Sequence, residues 1–311
     1  MCFRPTLTRS VIVAVLFVAA APLFAWTSKG HRRISAVAVE ILGEGSIPLA
    51  RSDWAQMVEA SVQPDLMRPR ELTQLRDREA PEHYLDWELL QSRRLPPTRS
   101  EYIKLLANIV REPGSPVSRE WTMETFGTLP YAVVEGTQRL AVAFAQLRQQ
   151  SDDPALRSMA MYLAGVVAHY AQDLCQPLHT TVDYDGRANR DGSSPQSGIH
   201  EVIDGSLRYV ALDPKVIGER RSTSFPDLFA AVVEQMGKSH DLVDRVYALE
   251  PDLWELKKTG SSSSALEEFV QGRFLHAATF TADLIHTAWI LSSEVRMPPW
   301  WGDDRSPEPA P

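Results

Sequence analysis

The chain has 311 residues, 44% apolar and 23% charged, with a formal net charge of −8. This is ordinary globular composition with ample length for a buried core. The acidic balance excludes a broad basic surface of the kind that duplex-binding proteins present, so positive charge for a polyanionic substrate must be local, and bound metal ions are one way to supply it.

Taken in chain order, residues 1–25 read as a signal peptide. Arg4 and Arg9 form a basic start, residues 11–24 are almost wholly apolar but short for a membrane span, and Ala25 is a small residue at the cleavage point. The expected mature chain starts at Trp26 and is exported, either secreted or periplasmic. The alternative is an uncleaved N-terminal anchor. Cleavage would remove Arg4, Arg9 and Cys2, making the chain more acidic by two charges and leaving Cys175 as its one cysteine. No intramolecular disulfide could then form, so the core or bound metal must supply stability.

Apolar residues recur at helical spacing over 31–42, with Ile34, Val37, Val39 and Ile41, and over 131–147 behind Pro130, a good first-turn residue. Residues 157–174 form a long apolar run closed by Pro177, and 226–236 and 265–291 are two more helical segments. Residues 184–198 are rich in Gly, Asp, Asn, Ser and Pro and read as a loop, 260–264 as a flexible connector, and 297–311 as a frayed C-terminal tail. No internal repeat and no Asn-Gly hairpin is present. The pattern predicts one all-α domain, a helical bundle over 26–296.

Chemistry concentrates in a few polar residues set into these apolar helices. His169 and Asp173 lie four apart on one face of a helix that is otherwise apolar, so the face points inward. A buried carboxylate beside a buried imidazole is costly unless paired or metal-bound. Pro177 ends the helix and turns His179 back toward the same end; after the loop, His200 and Asp204 repeat the four-residue spacing. One such pair alone reads as a His–Asp hydrogen bond in a core. Two pairs and His179, bracketing one loop, favour metal ligation, and imidazole with carboxylate and no thiolate cluster suits zinc. Upstream stand Pro64-Asp65-Leu-Met-Arg68 and His83-Tyr84-Leu-Asp86. The Asp65–Arg68 spacing is also that of a simple ion pair one helical turn apart. Trp26-Thr-Ser-Lys-Gly-His31 begins at the expected cleavage point, where a free α-amino group with its own carbonyl oxygen can chelate a metal. His240 and His276 have no partner spacing, His286 lies in an apolar helical stretch, and Cys175 reads as a buried thiol.

The ordered set Trp26, Gly30-His31, Pro64-Asp65-x-x-Arg68, His83-Tyr84-x-Asp86, His169-x3-Asp173-x5-His179 and His200-x3-Asp204 resembles the trinuclear zinc superfamily. That superfamily comprises secreted single-strand-specific nucleases and bacterial zinc-dependent phospholipase C. The resemblance runs over residues 26–210 and more loosely over the helical C-terminal third. It implies an all-α bundle and three Zn²⁺ ions. The first ion would be held by Asp65, His83, His169 and Asp173, the second by His179, His200 and Asp204, and the third by the Trp26 amine and carbonyl, His31 and the shared carboxylate of Asp173. It further implies that Asp65 orients the attacking water, that Arg68 neutralises phosphoryl charge, and that Tyr84 and Asp86 hold a nucleobase.

Within the superfamily, the nuclease branch is the nearer match. Four residues separate Trp26 from His31, twenty separate His179 from His200, Asp204 stands where phospholipases of this type place Glu, and Arg68 is present. Gly198-Ile199 before His200 and Ile203 before Asp204 depart from the Asn-Leu and Trp usual in the nucleases, and the stretch 184–190 is more like the phospholipase relatives. The expected activity is hydrolysis of single-stranded DNA or RNA, with removal of 3′-phosphates, to 5′-nucleotides. The alternatives are a phospholipase C acting on phospholipid head groups and a metal-stabilised domain without catalysis. No obligate protein partner is implied.

Overall fold

A computed structural model describes residues 26–303 apart from 44, 114, 116, 118–120 and 190–192. The signal peptide expected over 1–25 and the last eight residues of the expected tail lie outside the described residues. Helices dominate, and β pairing among the described residues is limited to two isolated bridges, Leu85–Gly127 and Tyr184–Gly186. The all-α expectation therefore holds. None of the described helices is long and apolar enough to cross a membrane.

The helices that position the polar cluster are α1 (Ser28–Leu42), α2 (Arg51–Ala60), α3 (Gln63–Leu66), α4 (Leu129–Gln149), α5 (Pro154–Leu174), α6 (Ile199–Ser206), α7 (Leu228–His240), α8 (Glu250–Thr259) and α9 (Ser264–Leu291). Their limits follow from caps that periodicity alone does not show. Thr27 accepts a hydrogen bond from the Gly30 amide and starts α1 ahead of the periodic residues. Asp153 accepts from the amides of Ala155 and Leu156 and starts α5. Asp227 accepts from the Ala230 amide, so α7 begins at Leu228 rather than at Pro226, and it runs on to His240. Each cap satisfies a donor that the first helical turn leaves unpaired. The connector at 260–264 contains the αL terminus Gly260 and the cap Ser263, which accepts from the Leu266 amide.

Helix α5 is the central element. It packs against α2, α4 and α9, while α1 lies on α9 and α2. Its apolar residues Leu156, Ala160, Met161, Ala164, Val167, Ala168 and Leu174 are buried, which fits the unbroken apolar run. The tightest crossing is at Gly165. A Cβ built there would stand 2.5 Å from the Ala60 Cβ and 2.8 Å from the Met57 carbonyl oxygen. Only glycine lets α2 approach this closely, and the approach brings the chain after α2, with Ser61 and then Asp65, onto the face of α5 that carries His169. Within the segment expected to be tail, Trp300–Asp303 forms a helical turn, and Trp301 packs partly buried against the core.

Replacing Gly165 with alanine should force α2 off α5. Since overpacking costs about 1–3 kcal/mol, G165A should show a lower urea-unfolding midpoint with unchanged slope. Equal midpoints would mean that α2 yields without cost.

Candidate metal centre

Eight of the residues singled out in the sequence converge on one end of α5. Helix α1 supplies His31, α3 supplies Asp65, and α5 supplies His169 and Asp173 one turn apart; α6 supplies His200 and Asp204. Two short 3-10 turns, Ala80–His83 and Pro177–Thr180, supply His83 and His179. Pro177 has the effect expected of it: Gln176 before it is extended, α5 stops, and the chain turns back. All eight side chains belong to residues that are 7% exposed or less.

The donor atoms fall into three groups that could each hold a metal ion: His31, His169 and Asp173; Asp65, His83 and His169; and His179, His200 and Asp204. Asp173 stands between the first two. Its Oδ1 lies 3.5 Å from His31 Nε2, and its Oδ2 lies 3.1 Å from His83 Nδ1 and 3.3 Å from His169 Nε2. His169 Nε2 is also 3.9 Å from Asp65 Oδ1. In the third group His200 Nε2 lies 3.1 Å from His179 Nε2 and 3.2 Å from Asp204 Oδ2.

The second nitrogen of four rings shows which atom faces the centre with a lone pair. His169 Nδ1 donates to the Ser61 carbonyl at 2.8 Å, His200 Nδ1 to the Tyr184 carbonyl at 3.1 Å, and His179 Nδ1 to the His83 carbonyl. His31 Nδ1 donates to Gln172 Oε1 at 2.7 Å, whose own amide is oriented by donating to Ser35 Oγ at 2.8 Å. A carbonyl oxygen only accepts, so each of these Nδ1 atoms carries a proton and each Nε2 is the atom turned to the centre. His179 Nε2 and His200 Nε2 thus face each other at 3.1 Å. With both rings neutral such a contact repels, so a shared proton or a cation must join the two nitrogens. Donors about 2.0–2.2 Å from a tetrahedral zinc ion stand roughly 3.3–3.6 Å apart, close to the separations here.

The unsatisfied atoms agree. His31 Nε2, His83 Nε2, Asp65 Oδ2, Asp173 Oδ1 and Asp204 Oδ2 are buried without a hydrogen-bond partner. Buried polar atoms of this kind are rare, and a bound ion is one of the few arrangements that satisfies them. The residues therefore fit a metal centre, and their chemistry, imidazole and carboxylate without thiolate, suits zinc.

Burial and mutual repulsion set the proton affinities of the metal-free cluster. His31 is held well below the ordinary imidazole range by burial and then by His169, His83 by burial and then by Arg68, and His179 by burial and then by His200. Burial also opposes the cation at His169 and His200, but the neighbouring carboxylates, Asp173 and Asp204 foremost, outweigh it and raise both. Burial pushes the Asp173 carboxyl up to about 6, against the pull of His169, and raises Asp204 likewise.

Four further predicted residues border this cluster. Trp26 is fully buried, its indole donating to the Gln172 carbonyl at 3.0 Å, so that Trp26 and His31 are anchored on one residue of α5. Arg68, partly buried, pairs through Nη2 with Asp65 Oδ1. Tyr84 and Asp86 are partly buried; the Tyr84 hydroxyl donates to the Glu124 carbonyl, and burial, then Glu88, raises the Asp86 carboxyl. Three supports lie outside the motifs: Ser61, Gln172, and Gln176, whose amide donates to Asp204 Oδ1 at 2.8 Å. Gln172 and Gln176 were detectable as amides within or just after an apolar helix. The Ser61 carbonyl, a backbone atom, left no signal. His286 lies beside Ser222 Oγ, His276 bonds Gln235, and Cys175 is a buried free thiol raised by burial to about 12, all outside the cluster.

No protein-family model matches the chain, and no curated protein does. Among solved structures, the alpha-toxin of Clostridium perfringens from the avian strain SWCP is similar at a TM-score of 0.40 and 12% identity, covering 89% of this chain. The chain spans 66% of that toxin's length. Function therefore rests on the residues of the centre.

Asp173 binds its proton more tightly in the metal-free fold than in the unfolded chain. Its contribution to metal-free stability is thus present at low pH and lost as pH rises through about 6. A cation needs the ionised form. The difference in melting temperature between zinc-loaded and EDTA-stripped protein should accordingly widen from pH 5 to pH 8. A gap independent of pH would contradict ligation through this carboxylate.

Proposed function

We propose that the chain is a zinc-dependent phosphodiester hydrolase. The observation that carries this reading is Asp173, fully buried, with one oxygen toward His31 and the other toward His83 and His169. A carboxylate so placed suits two adjacent cations, and paired cations suit displacement at phosphorus. In this reading Asp65, His83, His169 and Asp173 hold one zinc, His179, His200 and Asp204 a second, and His31, Asp173 and the amine and carbonyl of a processed Trp26 a third. Zinc bound there would make hydroxide available near neutral pH and withdraw charge from the phosphoryl oxygens.

The chain's own groups do the rest. Asp65 keeps one buried oxygen without a hydrogen-bond partner and is fixed through the other by Arg68, so it can orient a water molecule. The Arg68 guanidinium presents a planar fork that can take up charge developing on phosphate. Export of the mature chain, starting at Trp26, remains part of the proposal.

Two substrate classes fit, each with its own support. Single-stranded nucleic acid is supported by Tyr84 and Asp86, an aromatic and a carboxyl on one short extended segment beside His83. Phospholipid is supported by Leu66 and Leu72, apolar side chains 61% and 56% exposed on the chain segment that carries Arg68, where acyl chains could be met. The nucleic-acid reading leads, because the spacings around Trp26, His179 and Asp204 favour it.

The mature zinc-loaded protein should release 5′-mononucleotides from single-stranded DNA or RNA and no choline phosphate from phosphatidylcholine; the reverse pattern selects the phospholipase reading, and neither product sinks both. Asp173→Asn should abolish hydrolysis and remove more than one equivalent of zinc, and loss of a single equivalent with activity kept would refute the bridging role. Arg68→Lys should lower kcat about 10²-fold with zinc content unchanged, the loss expected for one transition-state donor. An unchanged kcat would exclude Arg68 from the reaction.

A further inference from the structure

The loop at 184–198 contains a buried acid that the proposed chemistry leaves unused. Asp185 is 7% exposed and forms no ion pair among the described residues. Its Oδ1 accepts hydrogen bonds from the Gly198 amide at 2.7 Å and the His200 amide at 3.3 Å. Both donors open α6, whose N-cap Gly198 has φ +87° and no side chain to cap with. The carboxylate thus supplies from thirteen residues upstream what a local Ser or Asp ordinarily supplies, and it does so where a helix favours negative charge.

The neighbouring residue completes the arrangement. The Tyr184 carbonyl accepts from His200 Nδ1 at 3.1 Å, and the Tyr184 ring meets the His200 ring edge-on at 6.2 Å. The Asp185 carbonyl accepts from the Ser197 amide at 2.9 Å and from Ser194 Oγ at 3.2 Å, drawing the two ends of the loop together. Two consecutive residues therefore hold both the main chain and the ring of one histidine. That histidine shares α6 with Asp204, one turn on, and both belong to the His179, His200 and Asp204 group.

We infer that Asp185 is a positioning residue for the His179–His200–Asp204 zinc site, fixing by its capping bonds the helix start that aims His200 Nε2 at the ion. The inference rests on the metal-centre reading above. It separates this site from the other two: the hydrogen bonds of Asp185 go to Ser194, Ser197, Gly198 and His200, none of them in the Asp173 group. Losing the cap should loosen one ion and leave the Asp173 group intact. Outer partners of this kind are worth about 10- to 100-fold in metal affinity.

The test is zinc content of the full mature chain, dialysed against graded free-zinc buffers and measured by mass spectrometry, with helix content read by circular dichroism. Asp185→Ala should lose one equivalent at free zinc that saturates wild type, keep the remainder, and keep its helix content. Asp185→Asn, which retains an acceptor oxygen in the same place, should bind like wild type, whereas Asp185→Glu, which displaces that oxygen by one methylene, should lose the same single equivalent. Where Asp185→Ala fails to fold, the Asn and Glu variants decide. Wild-type zinc content in Asp185→Glu, or a loss spread over all the ions, overturns the inference. Wild-type protein that takes up no zinc at all overturns the metal-centre reading and the inference with it.

Discussion

The constraint on which the rest of this structure depends is the burial of more acceptor atoms than there are protons to satisfy them. At one end of α5, five imidazoles and three carboxylates are enclosed, and four of the rings have their protons committed to outward acceptors. What remains inward is the second nitrogen of each ring and the carboxylate oxygens, several with no partner. A cluster so composed is expensive in a low-dielectric interior unless cations neutralise it. The burial that makes it costly also keeps His31, His83 and His179 neutral, which is the form that binds a metal.

The fold holds these groups by tying each to something rigid. Gly165 lets α2 touch α5, which delivers the Ser61 carbonyl to His169 and sets Asp65 down nearby. Gln172 links Trp26, His31 and Ser35 to the same helix. The His83 carbonyl accepts from His179 Nδ1, and the His179 carbonyl accepts from the Leu85 amide at 3.0 Å, so the two short turns brace each other. Few of these bonds come from regular secondary structure, yet each fixes the plane of a ring or the start of a segment, which is what a preformed ion site requires.

Electrostatics connects the centre to the chain as a whole. A protein of net charge −8 repels polyanions on balance. Divalent ions at the cluster, with Arg68 at its edge, would concentrate the positive charge where a phosphoryl group must sit, and the acidic surround would then discourage binding elsewhere.

The sequence by itself determined the fold class and singled out eight of the side chains that the fold brings together. Helical periodicity over 31–42, 131–147, 157–174 and 265–291 survives in α1, α4, α5 and α9, because burial of one helix face is a local pattern that the chain must carry in its residue order. His169 with Asp173 and His200 with Asp204 were legible for the same reason: a spacing of four fixes one face. Only the tertiary structure decided how these pairs combine. That Asp173 stands between two groups, that His169 belongs to both, and that His179 faces His200 depend on contacts between residues far apart in the chain. The supports were the least legible. Ser61 and Tyr184 act through backbone carbonyls, which every residue possesses, and Asp185 caps a helix that begins thirteen residues later across a loop. Nothing in local residue order marks a carbonyl as an acceptor or a distant carboxylate as a cap, because both roles exist only once the chain has closed.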